Sequence, residues 1–306
     1  MNRKSLISTG LMAMVLSMAL LFNGCKSCST KEPVDDMSME IPKDNPALVN
    51  DINRAKQIFM ALPSPLESAM LIKSTGAKFD QNLLNSLQNA DNYATSKSMA
   101  LNLGIYTCDL SFTSLYEQTQ LIIDYMNAAK KMAEGLGILR AIDQSTIDRL
   151  EQNINNTEVI MEIVSETFMN SNSDLVDNGQ PAIAAMVLVG GWFEGLYIAT
   201  RLVDMKDFNG NKLVGRIIDQ KLSIDILLNL LNDNKGNPAI DELITQVEKL
   251  KTIFDKISLT TSPVRPEYVE TTNTTYLKSE VKSNLTPAVF QELASTVAEI
   301  RGTFVK

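Results

Sequence analysis

Residues 101–136 read LNLGIYTCDLSFTSLYEQTQLIIDYMNAAKKMAEGL, and the fold class follows from their spacing. Leu101, Ile105, Cys108, Phe112, Leu115, Thr119, Ile122, Met126, Ala129, Ala133 and Leu136 recur at alternating steps of four and three, and only Thr119 breaks the apolar rule. A repeat of about 3.5 residues keeps one seam turned toward a partner helix. The pattern predicts a single helix from about Asp91 to Leu136, on the order of 60 Å long at 1.5 Å per residue, with Gly104 as the place for a kink or split.

Outward from that stretch the same period recurs. Ile147, Leu150, Ile154, Thr157, Met161, Val164 and Phe168 predict a second helix that starts at a cap near Asp143 to Ser145 and fades at Asn170-Ser171-Asn172. Ala182 to Met205 is apolar on every face, as in a helix surrounded by other helices or by lipid. Glu194 near its middle, with Arg201, favours burial among helices over a membrane span. Gly191 and Gly195 form a small-x-x-x-small pair that permits close backbone approach. Leu213 to Leu231 and Pro238 to Ile257 read as antiparallel neighbours joined by the turn Asn232-Asp233-Asn234-Lys235-Gly236. Ser258 to Leu285, Thr-rich and carrying Pro263 and Pro266, reads as a long loop or crossover, and no alternating strand pattern precedes it. Thr286-Pro287 then caps a last helix whose Phe290, Leu293, Val297, Ile300 and Phe304 again step by three and four. The expected fold is all-α: an elongated antiparallel multi-helix bundle with one central, all-round apolar helix, in a single domain over residues 45–306.

The N-terminal segment has a different character. Arg3 and Lys4 precede an apolar run from Leu6 to Phe22, which ends in Phe22-Asn23-Gly24-Cys25. This ending resembles the lipobox of bacterial lipoproteins. The resemblance implies that residues 1–24 are a signal peptide and that Cys25 is acylated and becomes the new N-terminus. Removing 24 of 306 residues would leave 282, with 26 basic against 36 acidic side chains and a charge of −10 in place of −8. Residues 25–44, rich in Ser, Lys, Asp, Glu and Pro, read as a flexible tether. Lys26 follows the Cys where many lipoproteins retained in the inner membrane carry Asp, so the resemblance implies the outer membrane, with periplasmic or surface orientation open. Pro63-Ser64-Pro65-Leu66-Glu67, Leu103-Gly104-Ile105-Tyr106 and Gly190-Gly191-Trp192 give the body a likeness to uncharacterised all-helical lipoproteins of Bacteroidetes type, which implies neither an activity nor site residues.

Composition narrows the chemistry. A charge of −8 with no basic block argues against nucleic acid as a partner. The chain has no His, which removes Ser-His and Cys-His nucleophiles and His metal ligands. Cys25-Lys26-Ser27-Cys28 has redox spacing but sits at the cleavage site, and Cys108 lies in an apolar helix. Glu158, Glu162 and Glu166 drift across a helix surface and read as a solvated face. No catalytic residue, cofactor or metal site is expected.

Buried charge is the strongest lead, because an ionised group in a core must be paired. Glu194 and Arg201 fall on one stripe of their helix, too far apart along its axis to touch, and Asp109 is the expected partner of Arg201. A polar pocket of Tyr106, Asp109, Trp192, Glu194, Tyr197 and Arg201 results, to be read either as a ligand site or as a network fixing helix register, the latter being favoured. The expected role is a lipid-anchored, non-enzymatic scaffold or partner-binding subunit of the cell envelope, held to the membrane by its lipid and carrying a protein partner. The alternative is a small-ligand-binding or sensing bundle.

Overall fold

A computed structural model of the chain describes residues 62–138, 142–269, 271, 274–278 and 281–306. Residues 1–61, which include the expected signal peptide, Cys25 and the expected tether, lie outside the described residues. Within them the fold is an all-α multi-helix bundle carrying one β arm. The helices are α1 (Pro65–Ser74), α2 (Ser96–Leu115), α3 (Thr119–Gly135), α4 (Gln144–Gln152), α5 (Thr157–Asp177), α6 (Pro181–Arg201), α7 (Lys212–Asn232), α8 (Pro238–Phe254) and α9 (Pro287–Phe304). Local chemistry sets most of their starts. Ser64 and Glu67 form a capping box on α1, Thr95 and Ser98 one on α2, and Thr286 caps α9 with Pro287 in its first turn.

Two helices form the centre. In α6 the residues from Ala184 to Thr200 are buried except Tyr197, as its all-round apolar sequence predicts. It is long and apolar enough to cross a membrane, but here other helices surround it. The second central helix is α2, every residue of which is buried from Ala100 to Leu115. Its seam predicted one buried face. The others are buried too because their polar members satisfy themselves: the Thr107, Ser111 and Ser114 hydroxyls donate to the carbonyl four residues back at 2.6 to 2.8 Å.

The two central helices touch backbone to backbone. A Cβ on Gly104 would stand 2.0 Å from the Val187 carbonyl oxygen, and one on Gly190 would stand 2.0 Å from that of Leu101. Gly104 therefore marks a close crossing, and the helix runs through it without a break. Gly191 and Gly195 serve the approach of α1, whose Pro65 and Ser68 lie against them. Around this pair, α1, α5, α7 and α9 pack on α6, while α3 doubles back on α2.

Three expectations from periodicity are corrected. The long helix from Asp91 to Leu136 is two helices, broken at Tyr116-Glu117-Gln118, where Glu117 takes a left-handed φ of 58°. The Thr113 and Ser114 hydroxyls both bond the Leu110 carbonyl and so compete with the final turn of α2. The second predicted helix is also two, α4 and α5, split by residues 153–156, where the Asn156 side chain accepts from the Val159 N–H and caps a new start. Its C-terminal half runs past Asn170-Ser171-Asn172 to Asp177, since Ser171 and Asn172 are buried in the bundle.

The third concerns Ser258 to Leu285, which is not an irregular loop. Strands β1 (Leu259–Thr261) and β4 (Val281–Ser283) pair antiparallel, as do β2 (Arg265–Val269) and β3 (Thr274–Lys278), with Pro266 opposite Leu277. Together they form a two-stranded arm between α8 and α9. Its strands make their pairing contacts with each other, and Val264 and Tyr268 are exposed.

The close crossing predicts opposite outcomes for one substitution type. Gly104→Ala should lower stability by about 1–3 kcal/mol through overpacking, although Ala is the better helix former by about 1 kcal/mol. Gly215→Ala in α7, where a Cβ meets nothing within 4 Å, should raise stability by up to about 1 kcal/mol. Urea unfolding midpoints of the two variants check the contrast.

Candidate functional site

Buried charge gathers where α2, α6 and α9 meet. Asp109 and Glu194 are both fully buried, and the cation that answers them is Arg301 of α9. Its Nε and one terminal nitrogen each donate to a Glu194 oxygen at 2.8 Å, a two-pronged pairing that suits a planar guanidinium. The Arg301 guanidinium also lies 4.6 Å above the Tyr197 ring. Burial opposes the charge on Arg301, but Glu194 more than compensates and holds its pKa above the ordinary value.

Asp109 is answered differently. Its Oδ2 accepts the Asn85 N–H at 3.0 Å, while Oδ1 is buried and receives no donor. Burial pushes this carboxyl well above the usual carboxylate range, and the neighbouring negative charge of Glu194 pushes it further. The raised pKa favours the protonated form of Asp109, which lessens the repulsion between the two buried carboxyl groups beside the single guanidinium of Arg301.

A shell of amides and phenols holds this cluster in place. The side chain of Asn85, in the segment between α1 and α2, donates to the Tyr93 hydroxyl at 3.0 Å and to Asn102 Oδ1 at 2.9 Å. The Tyr125 hydroxyl donates to the Asn85 carbonyl and that of Tyr106 to the Ser86 carbonyl, both at 3.0 Å. Asn102 and Asn89 reach across to the Phe304 and Val305 carbonyls at 2.8 and 3.1 Å, which fastens the end of α9. Burial raises the pKa of Tyr93, Tyr106 and Tyr125, so all three stay neutral donors.

The six residues expected to form a pocket are thus only partly brought together. Tyr106, Asp109, Glu194 and Tyr197 belong to the cluster. Arg201 does not: it is exposed at the end of α6, 5.4 Å over the outer part of Tyr197, and never meets Asp109. Trp192 faces away and donates to Gln220 of α7 at 3.0 Å. The spacing pairs Asp109 with Arg201, the nearest cation in sequence to Glu194, whereas the guanidinium at the cluster is Arg301, 107 residues beyond the Glu194 it bonds. Arg301 left one signal: it stands four residues after Val297, on the edge of the α9 seam, where a cation needs a buried counter-charge.

Chemically the cluster is closed on itself. Two clefts on the described surface lie away from it, one of about 190 Å³ lined by Ser64, Thr107, Ser111 and Phe168 and one of about 660 Å³ between α1 and α7. Cys108 is buried, and burial raises its thiol pKa, so it packs as a small apolar group. Glu162 and Glu166 are engaged by Arg149 at 3.3 and 2.6 Å on the exposed surface. Among the described residues no three His, Cys, Asp or Glu side chains converge in a way that could hold a metal ion. Comparison with protein-family models, with curated proteins and with solved structures yields no match for this chain.

Two measurements test the assignment. Arg301→Met leaves Glu194 buried without its cation and should cost about 3–5 kcal/mol in denaturant unfolding, whereas the exposed Arg201→Met should stay within about 0.5 kcal/mol of the parent. The second is a pH series. Unfolded, Asp109 loses its proton near pH 4, while the folded protein keeps it to higher pH, so this group lowers stability as pH rises between its two pKa values. Asp109→Asn removes the titration. Its stability relative to the parent should therefore rise as pH increases above about 4, and a difference that does not vary with pH would contradict a raised pKa at Asp109.

Proposed function

We propose that the protein is a lipid-anchored component of the cell envelope that acts, without catalysis, as a scaffold or partner-binding subunit at the outer membrane. The anchor rests on sequence alone, on the apolar run from Leu6 to Phe22 followed by Gly24-Cys25. Acyl chains contribute about 0.8 kcal/mol per buried methylene, so a multiply acylated Cys25 holds the chain on a membrane with no need for a basic patch.

The observation that carries the partner-binding reading is the β arm. Residues 259–261, 265–269, 274–278 and 281–283 form paired strands with Val264 and Tyr268 exposed, an arrangement that presents main-chain edges and an aromatic side chain to the surface. The alternative reading, a small-ligand binder built on the polar pocket, has less support. Glu194 and Arg301 answer each other there, and the expected cation, Arg201, lies at the exposed end of α6.

The arm can be removed without cutting the core. Joining Thr261 directly to Val281 through a two-residue Asn-Gly turn keeps the β1–β4 pairing and deletes the outer part of the arm. This variant should unfold within about 0.5 kcal/mol of the parent yet lose the protein that crosslinks stoichiometrically to the full chain in native membranes. Retention of the same crosslinked protein, or recovery of the parent chain alone, counts against the arm as the binding element. Separately, Cys25→Ala should move the chain from the membrane pellet to the soluble fraction, and its continued sedimentation with membranes would remove the lipid anchor from the proposal.

A further inference from the structure

Gly215, the fourth residue of α7, is exposed, and a Cβ built on it would meet nothing within 4 Å. Packing within the fold therefore does not require a glycine there, unlike at Gly104 and Gly190, where a Cβ would strike a facing backbone. An exposed glycine inside a helix lowers stability relative to alanine. A cost with no cause inside the fold points to a group that approaches the bare backbone from outside.

The bare backbone lines a cleft of about 320 Å³. Lys212, Arg216 and Asp219 stand on one stripe of α7, at steps of four and three, and line the cleft together with the buried Ile218. The root of the β arm supplies the rest, where Leu259, 38% exposed, pairs with Ser283. Arg216 and Asp219 approach to 3.5 Å on the exposed surface, and Lys212 makes no ion pair among the described residues. Two cations against one carboxylate leave a single positive charge at this place, in a chain whose net charge is −8.

We infer that this cleft binds a small monocarboxylate whose slender apolar chain lies over Gly215. The planar guanidinium of Arg216 offers the pair of parallel donors that a carboxylate accepts, and Lys212 adds a second cation beside it. The single remaining positive charge matches one carboxylate, whereas a phosphate dianion would bring a second negative charge toward Asp219. Ile218 and Leu259 receive the apolar chain, and any side chain at position 215 would stand in its path. The volume is that of about ten waters at roughly 30 Å³ each, so an acid of about six to eight carbons fits and a nucleotide does not. The inference stands apart from the partner-binding reading. The shortened-arm variant keeps Leu259 and Ser283, so the two fail separately.

Hexanoate titrated into the full chain, with the Ile218 methyl group followed by NMR, tests it. The methyl signal should shift saturably, with half-saturation at or below about 10 mM for a ligand of this size. Hexylammonium should leave it unmoved, and hexan-1-ol and inorganic phosphate should bind more weakly than hexanoate by roughly fivefold or more. Arg216→Gln should weaken hexanoate by roughly two- to fivefold and Asp219→Asn should tighten it by a similar factor. Gly215→Ala carries the sharpest contrast: its urea midpoint should rise while its affinity for hexanoate falls by about tenfold, since a single methyl group in the path of a ligand has an effect of that order. Absence of a saturable shift at Ile218 overturns the inference. So does binding of hexan-1-ol, hexylammonium or phosphate as tight as that of hexanoate, or a Gly215→Ala variant that binds as the parent does.

Discussion

The Val187 and Leu101 carbonyl oxygens stand where side chains of the facing glycines, Gly104 and Gly190, would have to be, so α2 and α6 approach until their backbones touch. Two helices that close leave no room between them for side chains. Their remaining faces must therefore be covered by other elements, and α1, α3, α5, α7 and α9 supply the cover. The constraint explains why α2 tolerates Asn102, Thr107, Asp109, Ser111, Thr113 and Ser114 although all are buried. Most of these are small or bond back to their own helix, as Asn102 does to the Ser98 carbonyl, and Asn102 and Asp109 are also met by Asn85.

The polar cluster adds a second kind of order. Apolar packing around a helix pair accepts small rotations and slips, whereas a guanidinium bonded twice to one carboxylate accepts very few. Glu194 and Arg301 fix α9 against α6, and Asn85 fixes the segment before α2 against Asp109. Asn89 and Asn102 then hold the final carbonyls of α9. This network favours the reading of the cluster as the device that sets helix register, with no substrate needed to complete it.

The helical content was legible because burial on one face leaves a period, and the all-round apolar run of α6 announced a central helix. Boundaries were less legible. A seven-residue step survives across a turn when both flanking helices face the same core, so the buried Leu115 and Ile122 stayed in phase across the break at Glu117 although Thr119 between them is exposed. The arm was hidden because Pro263 stands between its first two strands and Pro266 within the second, where proline normally argues against a strand. Within the site, Asp109, Glu194 and Tyr106 could be identified from charge or phenol embedded in apolar sequence. Arg301 could not be preferred to Arg201, since pairing across space depends on which helix is folded against which. Asn85 was hidden for another reason: it lies outside any periodic segment, and an amide in a turn normally serves the turn.

The distance in sequence between Glu194 and Arg301 bears on the order of events in folding. Helices α1 to α6 contain the backbone crossing and both carboxyl groups, whereas the guanidinium that pairs with Glu194 stands in the final helix. In a chain released from its N-terminus, the central pair can meet before that helix exists, but only with Glu194 facing its centre uncompensated, which costs about 3–5 kcal/mol. The C-terminal helix acts as a latch, because one of its side chains supplies both hydrogen bonds that answer Glu194.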